Sequence, residues 1–330
     1  EWFDHFEKAE MAEFNSATYF PIDLKGMTAL FALAPDAEIR KRAGAAIVRL
    51  VTMVAHSAHH GVITGAQGRS YEHSLCVADT LELTGLARLL WGQGQYGAHV
   101  NCLAQVALAL RDHGLEFPDL TKIANWERDD TAQEWTFWQG ENAFCKLYHY
   151  KTSETAMGSA ALYRWQDWGY QETLIQARIG REASASLFIN HPGEIVQSGF
   201  GRPSFWGGSA SVPRVQQYRD LAVVRFDGVA PQPNFTHAWF PTPVFDEWRV
   251  EGNRASARSG RGVMVIQASG PLQLMSQGGS AGHELRLAGR QGIWVVRLGQ
   301  TDDLAGFTKD HLLELAETTD GSLVVEDATY

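Results

Sequence analysis

Residues 55–74, with the sequence AHSAHHGVITGAQGRSYEHS, bring several side chains capable of acid–base chemistry into one short stretch. Three histidines precede a loop that contains glycines, and an arginine and a tyrosine follow it. These residue types can remove a proton, bind a carboxylate and protonate a leaving oxygen. A helix hairpin with cationic residues at the C-terminal end of its first helix accounts for the same residues without a catalytic role. The candidates are His56, His59, His60, Arg69, Tyr71 and Glu72.

A second polar segment, residues 13–19 (EFNSATY), lies just before a predicted helix. Asn15, Ser16 and Thr18 are all suited to capping that helix, but capping requires one side chain. We therefore expect Asn15 or Tyr19 to have a binding role beyond capping.

The second half of the chain holds further candidate binding segments. His191 follows a predicted strand in NHPG, and Arg202 precedes Trp206 in RPSFWGG, where glycines follow the aromatic ring. Such a ring can stack on the apolar face of a sugar, and the alternative is that Trp206 is a core residue. His191 and His237 together with an aspartate could hold a zinc ion, although nothing in their spacing requires it.

Apolar residues recur at three- and four-residue steps through the first half of the chain, which predicts helices joined by short loops. Asp36, directly after Pro35, is expected to cap the longest of these helices. This succession of helix, loop and helix is typical of stacked helical hairpins in a bundle or a toroid. The predicted helices span residues 22–33, 36–59, 71–90 and 99–113.

The second half changes to short segments with a period of two, bounded by Gly, Pro, Asn and Asp. This pattern predicts an antiparallel sheet assembly of the sandwich type. Residues 120–150 are rich in aromatics, and we expect them to form a linker packed as an interface between the two parts. A late helix is predicted at 310–316. The predicted strands span residues 174–179, 185–189, 221–226, 262–268 and 292–298.

Composition narrows the function classes. The 330 residues include 11 Trp, 9 Tyr and 16 Phe, which is enough for a buried core. The formal net charge of −10 argues against a nucleic acid or an anionic membrane as partner. No apolar run is long enough for a transmembrane helix, and the three cysteines are too far apart for a disulfide framework or a cysteine metal cluster. No signal peptide is visible from Glu1, so the compartment stays unassigned.

Familiar catalytic motifs are missing from the sequence. There is no P-loop, no dinucleotide-binding glycine fingerprint, no HExxH, no GxSxG and no CxxC. These absences argue against ATP-dependent, dinucleotide-dependent, zinc-protease and α/β-hydrolase activities.

Several motifs together carry a family resemblance. They are FNSxTY, GRSYE, YKTSETAMGSA, QDWxYQE, NHPGE and RPSFWGG. The chain resembles the heparinase II/III-like group of carbohydrate-active proteins. The resemblance implies an α+β chain of two domains, with an incomplete α/α toroid over residues 1–135 and an antiparallel β-sandwich over residues 136–330. Because this implied toroid begins at Glu1 with about four predicted helices, we expect further N-terminal helices to be missing from it.

The resemblance also implies an activity, namely β-elimination in uronic-acid-containing polysaccharides or oligosaccharides. A lyase of this kind must neutralise the sugar carboxylate, remove the C5 proton and protonate the leaving oxygen. Asn15 and Arg69 are the candidates for neutralisation, Tyr71 for the acid and also for the base, and His60 or His59 for the base. No cofactor is implied, and a divalent metal in the β part stays open. The implied substrate-binding residues are Asn15, Tyr19, Arg69, Glu72, His191, Arg202 and Trp206.

Two other functions remain open from the sequence. A glycoside hydrolase on the same architecture needs two carboxyl groups, and several acidic residues could supply them. A non-catalytic carbohydrate-binding protein would rely on Arg202 and Trp206, and Tyr71 would matter little. The lyase hypothesis requires Asn15, His60, Arg69 and Tyr71 to line one cleft. The hydrolase candidates are Glu13, Asp23, Glu72 and Glu172.

Overall fold

The computed structural model describes residues 1–11, 13–76, 82–97, 102–139, 145–163, 171–197, 201–228, 232–311, 313–317 and 323–327. It is a mixed α+β chain with several antiparallel sheets, which confirms the coarse fold class expected from the change of period. The helices are α1 Trp2–Ala9, α2 Tyr19–Leu33, α3 Ala37–Ser57, α4 Glu72–Cys76, α5 Glu82–Trp91, α6 Leu103–Asp112, α7 Thr121–Ala124 and α8 Leu304–Asp310.

The longest helix, α3, begins where the sequence predicts. One carboxylate oxygen of Asp36 accepts hydrogen bonds from the backbone N–H groups of Glu38 and Ile39, at 2.7 and 3.4 Å. These bonds satisfy two of the donors that a helix start leaves free. The helix predicted at 22–33 starts earlier, at Tyr19, where the Ser16 hydroxyl accepts from the Tyr19 N–H at 3.1 Å.

Two of the predicted helices are only partly covered. The stretch predicted at 71–90 contains α4 and α5, and residues 77–81 between them lie outside the described residues. The helix predicted at 99–113 corresponds to α6, and its first residues also lie outside.

Eight strands form one antiparallel sheet and six form another, and two short hairpins complete the strands described. The larger sheet has the order β14-β15-β10-β7-β6-β5-β4-β3, and the smaller has the order β11-β12-β13-β16-β9-β8. The strands are β1 Ala58–His59, β2 Val62–Ile63, β3 Gln133–Gln139, β4 Cys145–Lys151, β5 Thr155–Ala161, β6 Ile175–Ile179, β7 Ser186–Asn190, β8 Arg214–Tyr218, β9 Leu221–Asp227, β10 Phe235–Trp239, β11 Glu247–Glu251, β12 Arg254–Ser259, β13 Gly262–Ala268, β14 Leu272–Leu274, β15 Glu284–Ala288, β16 Gln291–Gln300, β17 Leu313–Glu317 and β18 Leu323–Asp327.

The chain passes repeatedly between these two sheets. It leaves the eight-stranded sheet after β7, returns for β10, leaves again and returns for β14 and β15. Strand β5 contacts β8 and β16 of the other sheet, and β6 contacts β13. One apolar cluster therefore draws residues from both sheets, among them Met157, Val224 and Trp294. Because the strands interleave, neither sheet can form its core without the other.

Two of the sequence predictions are wrong. Residues 120–150 are not a linker, since they contain α7, β3 and β4. The aromatic interface expected there does exist, because the Trp135 ring stacks on His56 of α3 with centroids 4.7 Å apart. The helix predicted at 310–316 is also wrong. The alternating sequence of Leu313–Glu317 pairs antiparallel with Leu323–Asp327 as a hairpin, in keeping with its period of two.

A buried lysine joins the helical part to the eight-stranded sheet. Lys151, at the end of β4, is 3% exposed, and its ammonium donates to the carbonyls of Ala55 and Ala58 at 3.1 and 2.7 Å. These carbonyls lie at the C-terminal end of α3, where the helix dipole favours a cation. Burial lowers the pKa of Lys151 to about 7.

The loop after α3 approaches the same sheet very closely. A Cβ atom at Gly158 would lie 2.6 Å from Nδ1 of His149, and one at Gly65 would lie 2.4 Å from Cε1 of the same ring. Asn15, with a φ of 48°, donates from Nδ2 to the Ala66 carbonyl at 3.2 Å and accepts from the Ser57 hydroxyl at the same distance. Residues 58–68 are thus held between the helices and the sheet.

Two expectations from the sequence concern membrane-spanning helices and the state of the cysteines. No helix among them has the length and apolarity needed to cross a membrane. Cys76, Cys102 and Cys145 are all free thiols.

We expect His149 to make the protein sensitive to acid. Burial, followed by the charges of His56 and Lys151, lowers the pKa of His149 to about 3. The unfolded chain protonates this group near pH 6.5, so between these values it binds more protons than the folded chain, and the free energy of unfolding falls as the pH falls. The loss attributable to His149 is about 2 kcal/mol between pH 6.5 and 5.

The measurement is chemical denaturation at several pH values. His149→Gln should lose less stability over this range than the parent protein, whereas His113→Gln, at an exposed position, should behave like the parent. An unchanged pH dependence in His149→Gln would contradict the assignment.

Candidate functional site

Two tyrosines and an arginine form a half-buried group at the junction of the helices and the eight-stranded sheet. The Arg69 guanidinium donates from Nε to the Glu13 carboxylate at 2.5 Å and from Nη1 to the Gln171 side chain at 2.8 Å. It also hydrogen-bonds the Tyr71 phenol, and its Cζ lies 5.1 Å from the centroid of the Tyr19 ring. We call Glu13, Tyr19, Arg69, Tyr71 and Gln171 the tyrosine–arginine cluster.

Backbone pairing brings these distant parts of the chain together. Gln67 and Thr173 exchange two backbone hydrogen bonds of 2.8 and 3.0 Å, which form an isolated antiparallel bridge. The backbone N–H and the hydroxyl of Ser70 both donate to the Gln171 carbonyl at 2.8 Å. The Gly68 N–H donates to the Phe14 carbonyl at 2.8 Å. The segment before α2, the loop before α4 and the segment before β6 therefore meet at one place.

The cluster stabilises the ionised form of Tyr71. Burial on its own raises the pKa of this phenol, but hydrogen bonds from Tyr19 and Arg69 and the charges of Arg69 and Arg202 outweigh it, so the pKa lies below its ordinary value. The Tyr19 hydroxyl donates to Tyr71, and this bond and its burial raise the pKa of Tyr19. In this pair Tyr71 is therefore the proton acceptor and Tyr19 is the proton donor.

Two carboxyl groups near the cluster have pKa values above the ordinary range. Burial and the charge of Glu13 raise the pKa of Asp23 to about 6. Glu172 is fully buried beside Tyr163, and burial raises its pKa to about 7. A carboxyl group whose pKa is raised toward neutral pH can act as a general acid.

The structure places His59, His60 and Asn15 away from this cluster. His60 donates from Nε2 to the Ser153 carbonyl at 2.7 Å, beyond the end of β4. The His59 ring is buried with its centroid 4.3 Å from that of His60. Asn15 is 1% exposed and bonded within the junction. Asn15 is thus almost fully buried, and His60 contacts Ser153 and His59, whereas the sequence-based hypothesis requires both to line a cleft with Arg69 and Tyr71.

Burial lowers the pKa of each of His56, His59 and His60. Because a buried imidazolium is costly, these rings pack as neutral groups. Their role in the structure is to fill the space between α3, the loop and the sheet.

Trp206 is a core residue. Its ring is 0% exposed and stacks on His237 with centroids 4.0 Å apart and an angle of 2° between the planes. Its indole N–H donates to the Ser280 hydroxyl at 3.0 Å. A ring enclosed in this way has no free face for a sugar, so the structural alternative explains Trp206. Glu72 is engaged beside it, because its carboxylate accepts from the Trp206 backbone N–H at 3.3 Å.

His191 is also enclosed. It is 0% exposed and donates from Nε2 to the Pro233 carbonyl at 2.8 Å, while His237 bonds the Glu284 carboxylate at 3.0 Å. Among the described residues no group of three or more His, Cys, Asp or Glu is placed to hold a metal ion. Arg202, in contrast, is exposed near Tyr71, where its charge helps to lower the pKa of that phenol.

Sequence reasoning missed Gln171, which positions the Arg69 guanidinium. The available signal was its place directly before Glu172 and a β-rich segment, but only pairing of Gln67 with Thr173 brings it to Arg69.

Comparison with protein-family models, with curated proteins and with solved structures gave no match. The functional argument therefore rests on the geometry of the site.

We expect Arg69→Gln to raise the pKa of Tyr71, because it removes a hydrogen bond and a positive charge from the phenol. The measurement is a nuclear magnetic resonance titration of tyrosine ring carbons, with the Tyr71 signal assigned from the spectrum of Tyr71→Phe. Arg128→Gln, which removes an exposed arginine paired with Asp130, is the matched control and should leave Tyr71 unchanged. A Tyr71 titration that does not respond to Arg69→Gln would contradict the proposed electrostatics.

Proposed function

We propose that the protein is a carbohydrate-active enzyme that cleaves uronic-acid-containing polysaccharides or oligosaccharides by β-elimination. The observation that carries this proposal is the Tyr71 phenol, whose pKa is lowered between a tyrosine hydroxyl and a guanidinium on the protein surface. The proposal includes the architecture of the heparinase II/III-like group, an incomplete α/α toroid followed by a β-sandwich. Helices that precede two interleaved antiparallel sheets support it.

Two arginines supply positive charge for the substrate carboxylate. Arg69 has five N–H donors, and its bonds to Glu13, Gln171 and Tyr71 leave donors for a ligand. Arg202 is exposed near the same phenol. Pairing the carboxylate with a cation makes the C5 proton more acidic, because it stabilises the negative charge that develops when the proton leaves. The local charge also offsets the net charge of −10, which opposes an anionic substrate at long range.

In the proposed reaction the ionised Tyr71 oxygen takes the C5 proton. The electron pair of the C5–H bond forms a double bond between C4 and C5, and the bond from C4 to the leaving oxygen breaks. The leaving oxygen then takes a proton from the Tyr71 phenol, which returns to its ionised state. Tyr19 hydrogen-bonds the Tyr71 oxygen and orients it throughout. In this proposal His59 and His60 transfer no proton, and Tyr71 is both the base and the acid.

A second function is favoured by the two carboxyl groups whose pKa values are raised. Glycoside hydrolysis requires one carboxyl group as acid and another as base or nucleophile. Asp23 and Glu172 have raised pKa values, which suit an acid, and Glu13 lies near both. In this alternative Tyr71 binds substrate and does not transfer protons.

A screen of uronic-acid polysaccharides and oligosaccharides distinguishes these functions. Elimination produces an unsaturated sugar that absorbs near-ultraviolet light, whereas hydrolysis produces saturated reducing ends. Tyr71→Phe should lower the rate of elimination by at least about a hundredfold while binding is retained, since it removes the group that transfers protons. Tyr96→Phe, at an exposed tyrosine outside the cluster, is the matched control and should keep full activity.

The hydrolase alternative makes the opposite prediction. Glu172→Gln or Asp23→Asn would then abolish the release of saturated reducing ends, and Tyr71→Phe would change the KM more than the kcat. Full elimination activity in Tyr71→Phe would overturn the lyase proposal. Affinity for a glycan without either product would indicate a carbohydrate-binding protein.

A further inference from the structure

A cavity with a volume of about 300 Å³ lies between α8, the edge strand β11 and its neighbour β12, remote in sequence from the tyrosine–arginine cluster. It differs from that cluster in chemistry, because cationic side chains dominate its walls and tyrosines are absent from its lining. The polar residues that line it are Arg249, Glu251, Arg254, Ser256, Thr308 and Lys309.

Strand register places the β residues on one wall. Arg249 of β11 pairs with Ser256 of β12, and Glu251 pairs with Arg254. Because side chains two residues apart in a strand point to the same face, all four point toward α8. Ser256 is 3% exposed, so it forms the floor of the cavity.

The opposite wall is held in place by the packing of α8. The Asp303 side chain caps this helix by accepting from the Gly306 N–H at 2.9 Å, and Leu304 is buried beneath it. Gly299 of β16 admits the Phe307 ring, since a Cβ atom there would lie 2.3 Å from Cε2 of Phe307. Because Leu304 and Phe307 of α8 pack toward the sheet, Thr308 and Lys309 are left to line the cavity.

The lining of the cavity is positively charged, whereas the whole protein is negatively charged. Three cations, Arg249, Arg254 and Lys309, face one carboxylate, Glu251, in a chain whose net charge is −10. The Nε atom of Arg254 is buried and has no hydrogen-bond partner within the described residues. Arg249 contacts Glu247 at 3.2 Å through one Nη atom, which leaves its other donors available.

We propose that this cavity binds a small ligand through a tetrahedral dianion, the chemistry shared by inorganic phosphate and a phosphate monoester. The three cations and one carboxylate leave a net charge of +2, which matches the charge of about −2 on such a group at neutral pH. The planar fork of an arginine binds phosphate oxygens in pairs. The volume lies at the lower end of the range of about 300–1,000 Å³ for small-molecule sites, so the ligand is a single small molecule.

The test is calorimetric titration of the full chain with inorganic phosphate, glucose 6-phosphate and acetate. Phosphate should bind saturably, whereas acetate should not, because one negative charge leaves the cavity half compensated. Arg254→Gln and Lys309→Gln should each raise the Kd for phosphate by at least about tenfold. Lys41→Gln, at an exposed lysine on α3, is the matched control. Binding of inorganic phosphate alone indicates a free-anion site, and tighter binding of glucose 6-phosphate indicates a phosphorylated metabolite.

The pH dependence provides a second readout. A phosphate monoester loses its second negative charge below about pH 6, and inorganic phosphate begins to lose it already near neutral pH, whereas sulfate stays a dianion. The charged groups that face the cavity are Arg249 and Glu251 from β11, Arg254 from β12 and Lys309 from α8. We therefore expect phosphate to bind more weakly at the lower pH and sulfate to bind equally at both.

Two results would overturn the proposal. One is the absence of saturable phosphate binding by a protein that gives a normal thermal unfolding transition. The other is phosphate binding that Arg254→Gln and Lys309→Gln leave unchanged. If Arg254→Gln fails to fold, Arg249→Gln, at an exposed position, replaces it. Neither outcome depends on the β-elimination activity, because no residue of the tyrosine–arginine cluster lines the cavity.

Discussion

The close contact between residues 58–71 and the eight-stranded sheet determines how the rest of the structure is arranged. Lys151 places its ammonium on the carbonyls at the end of α3, so strand β4 and the longest helix are fixed to each other. Gly65 and Gly158 allow the loop and β5 to meet over the His149 ring, where any side chain would collide. Hydrogen bonds to a charged group contribute about 1.5–3 kcal/mol, and here they also offset the cost of burying the lysine.

That contact explains why polar groups in the same region have different roles. Toward its centre, solvent is excluded, and His59 and His149 are neutral because a buried charge is unfavourable. Toward its edge, the phenols of Tyr19 and Tyr71 and the Arg69 guanidinium are half-buried. Charge there is stabilised by neighbours and remains accessible, which is the condition for acid–base chemistry. The histidines pack inside the loop, and the tyrosines lie at its surface.

The cavity at α8 follows the same principle at another place in the fold. The face of the smaller sheet at β11 and β12 carries charged side chains, and α8 packs on β12 and β13. Where the helix packs, its Leu304 is buried and Gly299 leaves room for its Phe307 ring. Where it does not, Arg254 and Lys309 face each other across a cavity. Both sites arise where a helical segment meets a sheet without filling the space between them.

The sequence by itself determined the change from helices to strands and the cap of α3 at Asp36, and it marked Arg69 and Tyr71 as candidates, because these depend on local periodicity and on residue chemistry. Local pattern could not decide whether residues 133–151 form a linker or two strands, or whether Trp206 faces a ligand or the core. Strand pairing and burial are set by distant parts of the chain. The tertiary structure alone joined Gln171 to Arg69 and Tyr19 to Tyr71, and it separated Asn15 and His60 from them. The physical reason is that a pKa and an accessible donor depend on neighbours that only folding brings within a few ångströms.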